Sequence, residues 1–213
     1  MALPLYVYCI VRADAPLRLE VAGLEERRPV RAIRHQGLAA VVSEVSCEDP
    51  DPSRANVLAH ERVNEAVLRD RTLIPMAFGT VFQSSGDVLE LLRSAQDTFD
   101  DVLGKLHGRI EFGLKVFSPP GQSARVDAAL ARQHVAGFLQ RLRDVCVASR
   151  CSATIGDRMI LNAAFLVERQ RERAFDERVH EIAAEHEELT FQFTGPWPPY
   201  NFVAIRLKRE TAE

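Results

Sequence analysis
Long apolar runs are missing from this chain of 213 residues. None approaches the roughly 20 residues that a membrane-crossing helix needs, so no membrane span is expected. The opening MALPLYVYCIV lacks a basic leader and reads straight into a strand, not into a signal peptide. Without an export signal the expected compartment is the cytoplasm, and the four Cys are then expected to be reduced. Cys146 and Cys151 do not match a CxxC metal or redox pair. An excess of positive charge is missing too. The net charge is −3, so no attraction to nucleic acid or to an anionic membrane is implied. Catalytic and cofactor motifs are also absent: there is no G-x-S-x-G, no P-loop and no G-x-G-x-x-G. His60-Glu61 opens like the zinc motif HExxH, but the second ligand position holds Asn64. One His and one Glu fall short of the three protein ligands of a catalytic zinc, and His60 reads as a boundary residue on a helix. No metal, no cofactor, no catalytic residue and no enzymatic activity are expected.

What is present reads as two α+β halves. Hydrophobic content of 46% and charged content of 27% are ordinary for a globular protein. In the first half, Leu5 to Val11 alternates and is rich in β-formers. Val30–Arg34 and Leu38–Val45 read as strands joined by a tight turn at Gln36-Gly37. A helix is predicted to about Arg71, capped by Asp51 with Pro52 at its first position. Its apolar stripe is Val57, His60, Val63 and Val67. Leu73 to Gln83 is a short strand pair or one bent strand. A single long helix is predicted from about Ser85 to Leu106, with Val88, Leu92, Ala95, Phe99, Val102 and Leu106 as a seam. The seam either packs on a sheet or is open to another protein's helix.

In the second half, Ile110, Phe112, Leu114 and Val116 alternate with Arg109, Glu111, Gly113 and Lys115, as in a strand with one face in the core. A helix to about Val147, a nearly all-apolar strand over Met159–Val167 and a helix over Arg169–Glu188 follow. Phe175, Val179 and Ile182 point inward on the last helix. With an extra strand allowed at Cys151–Ile155, this order fits a ferredoxin-like βαββαβ plan. The expected fold class is α+β with two domains, residues 1–106 and 107–213. The last helix starts with Arg169, Arg171 and Arg173 and ends with Glu185, Glu187 and Glu188. Its macrodipole prefers the reverse by about 0.3–1 kcal/mol per charge. Either this is a solvated face, or the clusters meet a charged partner or the other domain.

The densest signal lies at Phe193–Phe202, FTGPWPPYNF, which holds the chain's single Trp and three of its 11 Pro. Pro196, Pro198 and Pro199 each lock φ and remove a backbone donor, so no helix or central strand passes through them. Leu189, Phe191 and Phe193 alternate with Thr190, Gln192 and Thr194 before the kink. Val203, Ile205 and Leu207 alternate with their neighbours after it. The expectation is a strand, a rigid Gly-Pro kink, then a second strand or a continuation. Trp197 and Tyr200 are large amphipathic anchors. They are either buried in a stiff bulge or presented to a partner, so Trp197, Tyr200, Pro196, Pro198 and Pro199 are the candidate domain-anchor or interaction residues.

FTGPWPPYNF resembles the C-terminal signature of the gas vesicle protein GvpF/GvpL family. The resemblance extends, in consistent order and spacing, to LYVYCIV, AHERVNEAVL, LIPMAFGTVF and EFGLKVF. It implies two α+β domains, the second a modified ferredoxin-like fold. It also implies a non-enzymatic accessory or structural role in forming gas vesicles, the hollow proteinaceous shells that give cells buoyancy. The implied partners are the small hydrophobic shell protein and other accessory proteins, and the implied place is the cytoplasm, in association with the vesicle. The alternative is a small-molecule-binding or enzymatic module on a ferredoxin-like sheet, because that fold hosts many unrelated activities.

Overall fold
The computed structural model describes residues 3–17, 19–25, 28–121 and 128–203, with the backbone alone for 128–132. They form two compact units. One reaches to His107 and takes up Phe202; the other spans Gly108–Asn201. The second domain expected from the sequence, residues 107–213, extends into residues outside the described ones. Of the strand expected after the prolines, residues from 204 onward lie outside the described residues.

The first unit comprises β1 (Leu5–Arg12), β2 (Arg31–His35), β3 (Leu38–Glu44), α1 (Arg54–Leu68), β4 (Leu73–Pro75), β5 (Val81–Phe82), α2 (Ser85–Ser94) and α3 (Gln96–Leu106). Its antiparallel sheet has the order β2-β3-β1-β4, and β5 also pairs with β1. The β2–β3 turn needs left-handed backbone at Gln36 (φ 39°) and Gly37 (φ 84°), which explains the Gly. Strand β1 is buried from Leu5 to Val11, so helices cover both of its faces. Two local expectations are corrected. Ser53, not Asp51, caps α1: its hydroxyl accepts from the Asn56 N–H at 3.4 Å, while the Asp51 carbonyl accepts from the Asn56 side chain. The long helix is two helices that meet at Ala95 (φ −110°, ψ 15°). The physical reason is tertiary. Helix α2 packs on β2 and β3, α3 on β4 and β1, and one straight rod does not follow a twisted sheet across four strands. Val88, Leu92, Phe99, Leu103 and Leu106 are buried within the chain, whereas Leu89 is 38% exposed.

The second unit comprises β6 (Arg109–Phe117), α4 (Ala128–Arg143), β7 (Ala148–Cys151), β8 (Met159–Glu168), α5 (Glu172–Ala184) and β9 (Thr190–Trp197). The strand order is β7-β8-β6-β9, and all neighbours are antiparallel. A βαββαβ chain takes this order when each helical crossover skips one strand. The extra strand falls on Ala148–Cys151 rather than Cys151–Ile155, so α4 stops at Arg143, short of Val147. Arg169–Arg171 is a separate 3-10 turn before α5. Both helices cover one face of the sheet. Phe175 of α5 stacks on Phe112 at 5.5 Å, and Phe138 of α4 lies 5.6 Å from Phe191. Part of the reversed charge pattern is absorbed inside this unit. Glu185 accepts two hydrogen bonds from Arg141, at 2.5 and 2.9 Å, and Arg173 pairs with Glu177 on its own helix.

Candidate functional site
Strand β9 is an edge strand, a sheet position that tolerates proline. It therefore runs on through Gly195 and Pro196 and ends at Trp197, with the kink inside it. The register against β6 shifts between Glu111 and Gly113, which is a bulge. Gly195 sits at φ 125°. A Cβ there would lie 2.8 Å from Phe112 Cδ1 and 2.9 Å from the Glu111 carbonyl oxygen, so no other residue fits without a shift of β6. The Gly195–Pro196 peptide bond is cis. Pro198 and Pro199 are buried and Pro196 is exposed; Trp197 is half-buried and Tyr200 is 36% exposed. The chain then closes a short turn, in which the Tyr200 N–H donates to the Pro198 carbonyl at 2.7 Å.

The group that holds this turn is Glu111. It lies opposite Trp197 in the ladder. Its Oε2 accepts from the Asn201 backbone N–H at 2.8 Å, and its Oε1 accepts from Asn201 Nδ2 at 2.6 Å. Alternation along β6 places Glu111 on the face away from the helices, where the expectation was solvent. It is instead 4% exposed. Burial raises its pKa, while the two Asn201 donors and the Arg150 charge pull it back. Glu111 and Asn201 are the site residues that sequence reasoning missed. Both lie inside the quoted family segments, but no local pattern marks a strand carboxylate as buried.

The family model described as "Gas vesicle synthesis protein GvpL/GvpF" matches residues 4–130 and 121–204. The chain is 36% identical to gas vesicle protein F2 of Halobacterium salinarum, over 98% of this chain and 96% of that relative. The chain belongs to the gas vesicle synthesis protein GvpL/GvpF family. It is also 29% identical to gas vesicle protein L of a Streptomyces species, over 94% of this chain and 92% of that one. The crystal structure of the gas vesicle protein GvpF from Anabaena sp. PCC7120 superposes with a TM-score of 0.88 at 25% identity, covering 97% of this chain and 98% of that chain. GvpF from Microcystis aeruginosa, at 20% identity and a TM-score of 0.84, shares the fold over 95% of this chain and 100% of that chain.

In this GvpL/GvpF chain the other candidate for chemistry resolves differently from expectation. His60 is not a boundary residue but is 4% exposed. Its Nδ1 lies 2.8 Å from the Tyr6 hydroxyl and its Nε2 lies 3.0 Å from the Asn64 amide. Burial lowers its pKa to about 4, so the ring is neutral at physiological pH. Asn64, at the second HExxH position, is thus a partner of His60. Among the described residues no three His, Cys, Asp or Glu side chains come together as a metal site requires. None of the described helices is long and apolar enough to cross a membrane. The carboxylate of Glu111 is engaged with Asn201, so the arrangement is a clasp that fixes the aromatic–proline segment.

Proposed function
We propose that this protein is a non-enzymatic structural or accessory component of gas vesicle formation. It works in the cytoplasm, at the vesicle, by binding the small hydrophobic shell protein and other accessory proteins. The surface that binds the shell protein is set by Pro196, Trp197, Pro198, Pro199 and Tyr200. The observation that carries this reading is the Glu111–Asn201 clasp. It holds two amphipathic rings on a stiff segment, one half-buried and one at the surface. The three prolines restrict the segment before folding, so ordering it costs little backbone entropy. Pre-ordered aromatic side chains are economical binding contacts.

The test measures chemical denaturation and pull-down of the shell protein on the same preparations. Trp197 is half-buried, so Trp197→Ala is expected to cost less than a fully buried aromatic, about 1–3 kcal/mol. Its shell-protein binding is expected to fall as well. Tyr200→Ala is expected to hold stability within about 0.5 kcal/mol while weakening binding. Unchanged binding in both variants would remove the segment from the binding surface.

A further inference from the structure
Sheet edges expose backbone donors and acceptors to any passing strand, and proteins guard them with charge, proline or a bulge. The second sheet has two edges, and they are guarded unequally. Strand β7 carries Arg150 in a stretch of only four residues. Strand β9 is guarded at its far end alone, by the bulge, Gly195 and Pro196. Its first five residues, Thr190–Thr194, have neither charge nor proline, and the charge-free run continues from Leu189 to Ile205. Thr190, Gln192 and Thr194 are exposed, and Phe191 and Phe193 are half-buried. Among the described residues no strand lies beyond β9.

The sequence of this open stretch reads the same in both directions: Thr190, Phe191, Gln192, Phe193, Thr194. An antiparallel partner with that sequence, centred on Gln192, matches every residue with its own kind. Thr190 then faces Thr194, Phe191 faces Phe193, and Gln192 faces Gln192 across a two-fold axis. Aromatic pairs and Thr–Thr pairs are among the favourable cross-strand combinations. In the same register Glu188 comes opposite Pro196, so no like charges meet. A strand with these properties is self-complementary, which is what an isologous two-fold contact requires. We propose that β9 pairs edge to edge with β9 of a second copy of this chain, centred on Gln192, to give one continuous sheet across the dimer. A contact of five residues per strand is small, so the dimer is expected to form with rising concentration and to dissociate on dilution.

The test uses the full chain and one residue. Gln192 lies opposite Lys115 in its own sheet, so Gln192→Glu adds an attractive pair within the chain and sets two carboxylates against each other on the two-fold axis. Sedimentation velocity on the wild type is expected to move from one to two chain masses as concentration rises, with added protection of the 190–194 amides against hydrogen exchange. Gln192→Glu alone is expected to lose the dimer and to keep the thermal midpoint that the wild type shows at dilution, where it is a single chain. Mixing it with Gln192→Lys is expected to restore the two-chain species. A wild type that stays at one chain mass would overturn the proposal, as would a Gln192→Glu variant that associates like the wild type. Protection of the 190–194 amides only when another protein is added would also overturn it, and would assign the edge to that protein's strand.

Discussion

Removing the Glu111 carboxyl is the sharpest perturbation of the clasp. Glu111→Ala leaves the Asn201 backbone N–H and side-chain amide without their acceptor. Asn201 is exposed, so water takes up the freed donors and each of the two lost hydrogen bonds costs about 0.5–1.5 kcal/mol. Set against that is the removal of a carboxylate whose burial penalty outweighs its hydrogen bonds, as its raised pKa shows. The expected net loss is about 2 kcal/mol. Asn201→Ala removes the side-chain donor but keeps the backbone N–H, so it should cost less, and the two substitutions should couple by about 1 kcal/mol in a double-mutant cycle. The pH dependence has a defined sign. The folded pKa lies above the unfolded one, so the stability that Glu111 contributes is full below the unfolded pKa and is lost as pH rises through the folded value. Glu111→Gln, which keeps the shape and stays neutral, should therefore gain on the wild type as pH rises above the ordinary carboxylate range. Trp197 is the chain's single Trp and pairs opposite Glu111, so its fluorescence reports on this turn directly. Urea unfolding followed by Trp emission is the assay, with a red shift of the folded-state emission expected in Glu111→Ala. Wild-type stability and unshifted emission in Glu111→Ala, with zero coupling to Asn201→Ala, would refute the clasp.

Three further outcomes are expected. His60 is neutral in the folded chain, and its pKa is lowered to about 4 from 6.5 by burial. Stability is then present above the unfolded pKa and is lost as pH falls from about 6.5 to about 4, by about 3 kcal/mol in total, and His60→Gln should flatten this dependence in urea titrations at the two pH limits. Phe99 is fully buried and Leu89 is 38% exposed, so Phe99→Ala should cost about 3–5 kcal/mol and Leu89→Ala about 0.5 or less in thermal unfolding. Gly195→Ala, placed at φ 125° with its Cβ against Phe112 and the Glu111 carbonyl, should lower stability by more than about 1 kcal/mol, read by the same Trp emission.

Much of the fold is written in local patterns. Ile110, Phe112, Leu114 and Val116 alternate because one face of β6 lies under helices, and all four are buried. Phe175, Val179 and Ile182 recur at helical spacing and are buried on α5. The Gln36-Gly37 turn needs a backbone that Gly supplies without a neighbour's help. The proline-rich segment was legible as a kink for the same reason, since proline limits its own φ whatever surrounds it. These features depend on side-chain period or on one residue's own sterics, and both are properties of the chain alone.

Other features depend on what arrives from far away in sequence. Nothing near Ala95 breaks a helix; the break exists because α2 and α3 must follow different strands of one sheet. His60, read on the apolar stripe of its helix and as a boundary residue, and Glu111, on the alternate face of β6, are polar residues that the structure buries. Tyr6 lies 54 residues from His60, and Asn201 lies 90 residues from Glu111. Burying such a group is unfavourable by itself and is tolerated only because the distant partner is delivered to hydrogen-bonding distance. Sequence alone therefore determined most of the elements, the two-domain α+β plan and the stiffness of the Pro196–Pro199 segment. Tertiary structure alone decided that Glu111 holds that segment through Asn201, because a carboxyl's partner is chosen by proximity in space, which no local period encodes.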